Sequence, residues 1–237
     1  MLSVIGPSVR SVAALAGGKM QANTAAVRSA EELVRHLEAK VCGTEVLVVG
    51  VCGVAGAGKT TLCHQLVEAC SFDAVRLDCD RFSSLSHAER QARIREAKAE
   101  GNRDRIELTE NPRNWYSFTD IIAAIRDLRS CRVHTSHRAW NKKTGELDDT
   151  YQVTLAEAGP SMLFCDCIYL LHPAIRTELD VAVLVDTPGS LVAERGLLRS
   201  KGNSALAAYG ETLRRKYSVP YFKTFGGHAD LIYRAGS

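Results

Sequence analysis

The residues with the most legible chemistry are Gly53, Val54, Ala55, Gly56, Ala57, Gly58, Lys59, Thr60 and Thr61, which read G-x-x-x-x-G-K-[ST]. Glycines at 53, 56 and 58 let a backbone turn its N–H groups inward around an anion. A helix starting there adds a positive end worth roughly half a charge. Lys59 has the reach for the β- and γ-phosphates of a nucleoside triphosphate, and the Thr60 hydroxyl suits Mg²⁺. The pattern predicts a cradle for a nucleotide and its Mg²⁺. Acids follow at places where strands should end: Asp78 and Asp80 in "VRLDCD", and Asp166 in "SMLFCD".

The flanking sequence supplies what such a loop needs. "EVLVVGVCG" is a continuous apolar run ending in glycine, the pattern of a buried parallel strand. "KTTLCHQLVEAC" has helical spacing at Leu62, Leu66 and Ala69. Strand, loop and helix in that order are the context the motif requires. "DAVRLDCD", "SMLFCDCIYLL" and "DVAVLVDTP" read as further strands. "SAEELVRHLEAKV", "SSLSHAERQARIREAKAE" and "YSFTDIIAAIRDLRS" read as helices, the first and third with serine caps at Ser29 and Ser117. "CRVHTSHRAW" and "TYQVTL" look like short strands flanking a turn, and residues 190–217 look mostly helical. Alternating strands and helices predict an α/β, three-layer sandwich of the P-loop NTPase type, with a mostly parallel sheet, helices on both faces and a small helical lid.

Composition narrows the classes. A chain of 237 residues with 46% hydrophobic and 24% charged residues suits one domain with a real core. A net charge of +3 gives no nucleic-acid or membrane surface, and no apolar run spans a bilayer. The eight cysteines form no CxxC and several sit in apolar runs, which fits buried free thiols in a reducing compartment. Residues 1–30 read as an extension before a domain at 31–237; the leader has no acid before Glu31, so a cytoplasmic location has a mitochondrial alternative. "VLVDTPG" resembles the D-x-x-G element of a GTPase and "NKKT" a guanine-reading N-K-x-D. Thr144 stands where a carboxylate must accept from the base, and the two elements come in the wrong order.

From the loop to the C-terminus, the order of elements resembles the uridine kinase and phosphoribulokinase group of P-loop small-molecule kinases. "VRLDCDRFSSL" is similar to the group's second strand and D-x-F-Y element, with Asp80 at the catalytic aspartate and Phe82 at the aromatic. "TENPRNWYSFTDIIAAIRDL" resembles its acid-His-Pro segment, with Glu110 and Pro112 matching. "HRAWNKKTGEL", "ERGLLRSKGN" and "HADLIY" resemble its Y-D-x-x-T-G region, lid and terminal strand. Asp166-Cys167 stands in place of Glu-Gly, and Arg138-Ala139 in place of Tyr-Asp.

The resemblance implies transfer of the γ-phosphate of ATP to a small-molecule hydroxyl. A nucleoside, uridine or cytidine, leads; pantothenate, glycerate or a sugar are alternatives, as is a nucleotide-binding protein without activity. Homo-oligomerisation is open. Asp80 is the expected base or orienter of the acceptor hydroxyl, with Asp78 the competing carboxylate. Thr60 and Asp166 are the expected Mg²⁺ ligands. Arg195 and Arg199, four apart, would share one helix face as phosphate-binding lid arginines or as a solvated basic face. Phe82, Trp115, Tyr116 and Trp140 fall in segments that should surround the acceptor, as base-stacking or core residues. Glu110, His137 and Asp78 complete the expected acceptor set, with Arg138 beside His137.

Overall fold

The computed structural model describes residues 25–41, 43 and 45–234. The targeting question and Cys42 therefore lie outside the described residues. Ala25–Val27, expected within the extension, instead forms β1, an edge strand of the main sheet. Helix α1 (Ala30–Glu38) follows, capped by the Ser29 hydroxyl, which accepts from Glu32 N at 3.1 Å.

The centre of the fold is β2 (Val46–Cys52), with all seven residues buried. Successive side chains of a strand point to opposite faces, so burial at every position means that both faces are covered. The same holds for β6 (Ser161–Asp166) and β7 (Val181–Asp186). These runs are continuous in apolar residues because neither face meets water.

Between β2 and β6 the chain forms α2 (Lys59–Ala69), β3 (Asp73–Asp78), α3 (His87–Ala99), α4 (Arg103–Glu110) and α5 (Phe118–Cys131). The strands β4 (Val133–Ala139) and β5 (Asp149–Thr154) then form a separate antiparallel hairpin. After β6 come the short α6 (Pro173–Arg176), β7, α7 (Gly189–Arg199), α8 (Ser204–Leu213), α9 (Val219–Phe225) and β8 (Leu231–Arg234). A π-helical turn over Arg214–Ser218 joins α8 to α9. The six-stranded sheet runs β1-β8-β7-β2-β6-β3, and every pair is parallel.

Strand β6 lies between β2 and β3, and its register sets Asp166 level with Val51 on one side and Asp78 on the other. Two carboxylates therefore meet at the carboxyl ends of adjacent strands, where open α/β sheets bind ligands. Helix α3 is fixed by a reciprocal capping box: Ser86 Oγ accepts from Glu89 N at 3.1 Å, while the Glu89 carboxylate accepts from Ser86 N at 2.8 Å. Ser117 caps α5 through its hydroxyl and Asp120 N.

The described cysteines are free thiols, and Cys52, Cys63, Cys79, Cys165 and Cys167 are buried as the apolar context predicts. Cys131 is exposed. Among the described residues no helix is long and apolar enough to cross a membrane.

Candidate active site

The loop Gly53–Gly58 joins β2 to α2, and its glycines carry the turn. Gly53, Gly56 and Gly58 have φ of 151°, 91° and 98°, a region that L-residues rarely adopt. At Gly53 a Cβ would also stand 2.8 Å from Val185 O. The loop is pinned from below by Thr187, whose hydroxyl donates to Ala57 O at 2.7 Å. Lys59 Nζ donates to Val54 O at 3.2 Å, so the ammonium lies folded over the loop.

Helix α7 brings the guanidinium of Arg195 onto the same loop, donating to Gly56 O and Ala57 O at 3.2 Å each. Arg195 and Arg199 line one cavity of about 440 Å³ with Gly58, Thr61, Gln65 and Tyr233. The shared helix face expected from their spacing is thus turned to the loop.

The Thr60 hydroxyl donates to Asp166 Oδ2 at 2.6 Å. Two hard oxygens converge there, the donor type that Mg²⁺ takes. Among the described residues no group of three or more His, Cys, Asp or Glu could hold a metal. A divalent ion would therefore rest on Thr60, Asp166 and the nucleotide's own phosphates, which is the usual arrangement for Mg²⁺ at phosphates.

Asp166 has a second partner that the sequence reading missed. Arg76 NH1 donates to Asp166 Oδ2 at 2.7 Å, and Arg76 NH2 reaches Asp78 Oδ2 at 3.2 Å. Lys142, from the hairpin turn, donates to Asp78 Oδ2 at 2.6 Å. Asp78 is thus held by two cations, and Tyr151 OH accepts from its backbone N at 2.9 Å.

Asp80 differs in every respect. The run "DAVRLDCD" reads as strand through Asp80, yet the strand ends at Asp78 and Asp80 lies in the 3₁₀ turn Cys79–Arg81. Asp78 caps that turn by accepting from Asp80 N at 3.3 Å. The Asp80 carboxylate is open to solvent on one side and accepts from Tyr116 OH at 2.9 Å. Desolvation by the surrounding protein, then repulsion from Asp78, raise its pKa above the ordinary 3.8.

Asp80, Ser83, Arg90, Trp115, Tyr116 and Trp140 line a cavity of about 200 Å³. Three expected acceptor aromatics, Trp115, Tyr116 and Trp140, are therefore brought together beside Asp80. The fourth is not. Phe82 is buried in the core, edge-on to Tyr151 at 6.0 Å and tilted against His134 at 5.8 Å. The turn after Asp78 points Asp80 outward and Phe82 inward.

His137 also stays out of the cavity. It is exposed, in the irregular stretch between Ser136 and Ala139 where the hairpin register shifts. Glu110 ends α4 near Tyr209 and Lys216 and is not one of the lining residues. Arg90 and Ser83 are the lining residues missed from sequence. Half-burial of a charged helix residue leaves no local signal in so polar a segment.

A glycine-rich loop between a central parallel strand and a helix, with carboxylates on the adjoining strand end, defines an α/β fold of the P-loop, nucleotide-binding kind. The chain belongs to the phosphoribulokinase/uridine kinase family, whose model matches residues 48–219. It is a kinase family, and its members use ATP. Solved structures are similar in fold at low identity. A putative fructose transport system kinase from a Silicibacter species aligns at TM-score 0.60 and 16% identity, covering 87% of this chain and 99% of that one. A possible uridine kinase from Bacillus stearothermophilus aligns at 0.53 and 15%, covering 86% and 97%. Phosphoribulokinase from Rhodobacter spheroides aligns at 0.51 and 13%, covering 76% and 68%. No curated protein sequence matches.

Proposed function

We propose that this chain transfers the γ-phosphate of ATP, carried as its Mg²⁺ complex, to a hydroxyl of a small metabolite bound beside Asp80. The observation that carries the reading is the position of the Asp80–Tyr116 pair. It opens onto a separate cavity and lies one turn beyond Asp78, which registers with Asp166 at the phosphate loop. In this reading the loop amides, Lys59 and Arg195 hold phosphate oxygens, Thr60 and Asp166 hold the metal, and Arg199 lies beside the nucleotide. Mg²⁺, when bound, neutralises charge developing on the transferred group. Asp80 accepts the acceptor's proton, helped by a raised pKa that brings it nearer neutrality. Asp78, tied to Arg76 and Lys142, is a positioning group.

A nucleoside is the acceptor the family resemblance suggests first, with Trp115 and Trp140 as stacking surfaces. The test is ADP release from ATP and Mg²⁺ with uridine, cytidine, pantothenate, glycerate, a sugar panel and no acceptor in parallel. Acceptor-dependent release is the expected result. Release indifferent to every acceptor would leave a nucleotide-binding protein with no phosphotransfer.

Arg76 yields a separate prediction. Its guanidinium bridges two buried carboxylates whose side chains are 9% and 6% exposed. Removing one partner of such a group typically costs about 3 kcal/mol, because the remaining charges are left buried. Arg76→Met is therefore expected to melt well below wild type in metal-free buffer. It should also bind Mn²⁺ with ADP more tightly, since Asp166 no longer shares its charge. Thermal melts with and without metal, and Mn²⁺ titration by electron paramagnetic resonance, check both. Equal Mn²⁺ affinity in the two proteins would remove Asp166 from the metal site.

A further inference from the structure

Resting on that reading, we propose that the acceptor is a small hydroxylated anion whose carboxylate or phosphate is bound by Arg90. Arg90 sits on α3 in the wall of the acceptor cavity, half-buried, with no carboxylate at ion-pair distance among the described residues. Its NH2 makes only long contacts, to Ser83 Oγ at 3.3 Å and Leu85 O at 3.4 Å. Its Nε is buried without any acceptor. The guanidinium lies 4.1 Å from the centroid of the Trp115 ring, which steadies it without neutralising it.

A buried charge without a counter-ion is costly, and native proteins hold one mainly where a ligand completes it. Arg195 is the internal comparison. It donates to carbonyls rather than to a carboxylate, and it does so at the Gly53–Gly58 loop. Two other arginines near this site have acids: Arg76 has Asp78 and Asp166, and Arg81 has Asp149. Burial depresses the pKa of Arg90, whereas the carboxylates beside Arg76 outweigh its desolvation and raise that of Arg76.

Size points the same way. The cavity is about 200 Å³, below the roughly 300 Å³ at which sites for drug-sized ligands begin. Its charges also set a direction. Asp80, bonded to Tyr116, repels an anion and accepts a hydroxyl, while Arg90 takes the anion. The indole N–H of Trp140 is buried without a partner in the same wall, a further donor for an oxygen-rich ligand. A neutral nucleoside would leave Arg90 uncompensated.

The two tryptophans of the chain, Trp115 and Trp140, both line this cavity, so intrinsic fluorescence reports its occupancy. The full chain with Mg²⁺ and ADP is titrated with glycerate and ribose 5-phosphate as carboxylate and phosphate probes, and with glycerol, ribose and uridine as neutral ones. At least one anion is expected to change the fluorescence at a concentration about 10-fold or more below its neutral counterpart, the worth of one charge-assisted contact. Arg90→Gln should erase that preference while leaving ATP affinity unchanged. Tighter binding of a neutral probe, no response to either anion, or an unaltered preference in a folded Arg90→Gln protein would overturn the proposal. The wild-type comparison stands even where the variant fails to fold. ADP release with the same compounds separates the two readings: binding of an anion without release refutes phosphotransfer and leaves the anion site standing. Turnover confined to neutral alcohols supports phosphotransfer and refutes the anion.

Discussion

Lys59→Ala is expected to lower kcat/KM for ATP by about 10²–10³-fold, the cost of losing one preorganised charge at a reacting phosphate. Folding should be spared. The ammonium bonds Val54 O at 3.2 Å, and among the described residues Lys59 has no ion-pair partner. The loop is held independently by Thr187 through Ala57 O and by its left-handed glycines. The melting temperature should therefore stay close to wild type, and circular dichroism should be unchanged. Steady-state ADP release together with a thermal melt checks both halves. Undiminished turnover would sink the assignment of the loop. A lost fold with lost turnover would mean that Lys59 holds the loop together in a way its single hydrogen bond does not suggest.

The turn itself was legible because what it needs is local: its glycines lie within Gly53–Gly58, between a buried strand and a helix. The same is true of β2, β6 and β7, whose unbroken apolar runs reflect burial on both faces. Contacts made across the sheet were not legible. Arg76 and Asp166 are 90 residues apart, and Lys142 and Asp78 are 64 apart. No periodicity announces that β6 will insert between β2 and β3, or that the β4–β5 turn will reach the end of β3. Part of the Arg76 signal was present, since residues 76 and 78 share a strand face at period two. Its consequence needed the partner strand. Phe82 and His137 show the opposite failure. Each lies close in sequence to a residue lining the Asp80 cavity, but a 3₁₀ turn and a hairpin irregularity change which way the backbone presents them. Sequence proximity could not supply that rotation.

Asp80→Asn is the second large effect, and it separates chemistry from stability. A positioned general base contributes typically 10²–10⁴-fold, so kcat should fall by about that much while ATP affinity holds. The amide keeps an oxygen for the Tyr116 hydroxyl, which donates to Asp80 Oδ1 in the wild type. The linkage has a definite sign. Partial desolvation by the surrounding protein, then repulsion from Asp78, raise the folded-state pKa of Asp80 above 3.8, so the folded state binds its proton more tightly than the unfolded state does. The carboxylate's penalty on folding begins as pH rises past 3.8 and is complete above the raised folded value. Asp80→Asn should therefore melt higher than wild type near neutral pH, and the difference should shrink as pH falls towards 3.8. The wild-type rate should drop with falling pH as the same group takes up its proton. Asp78→Asn is the contrasting variant. Asp78 is buried and held by Arg76 and Lys142, so its loss leaves two cations short of a partner and should lower the melting temperature. Melts and single-turnover rates on the two variants decide between the carboxylates. A large drop in chemical rate with raised stability in Asp80→Asn, against a modest drop with lowered stability in Asp78→Asn, assigns the proton to Asp80. The reverse pattern assigns it to Asp78 and makes the 3₁₀ turn a support for that residue.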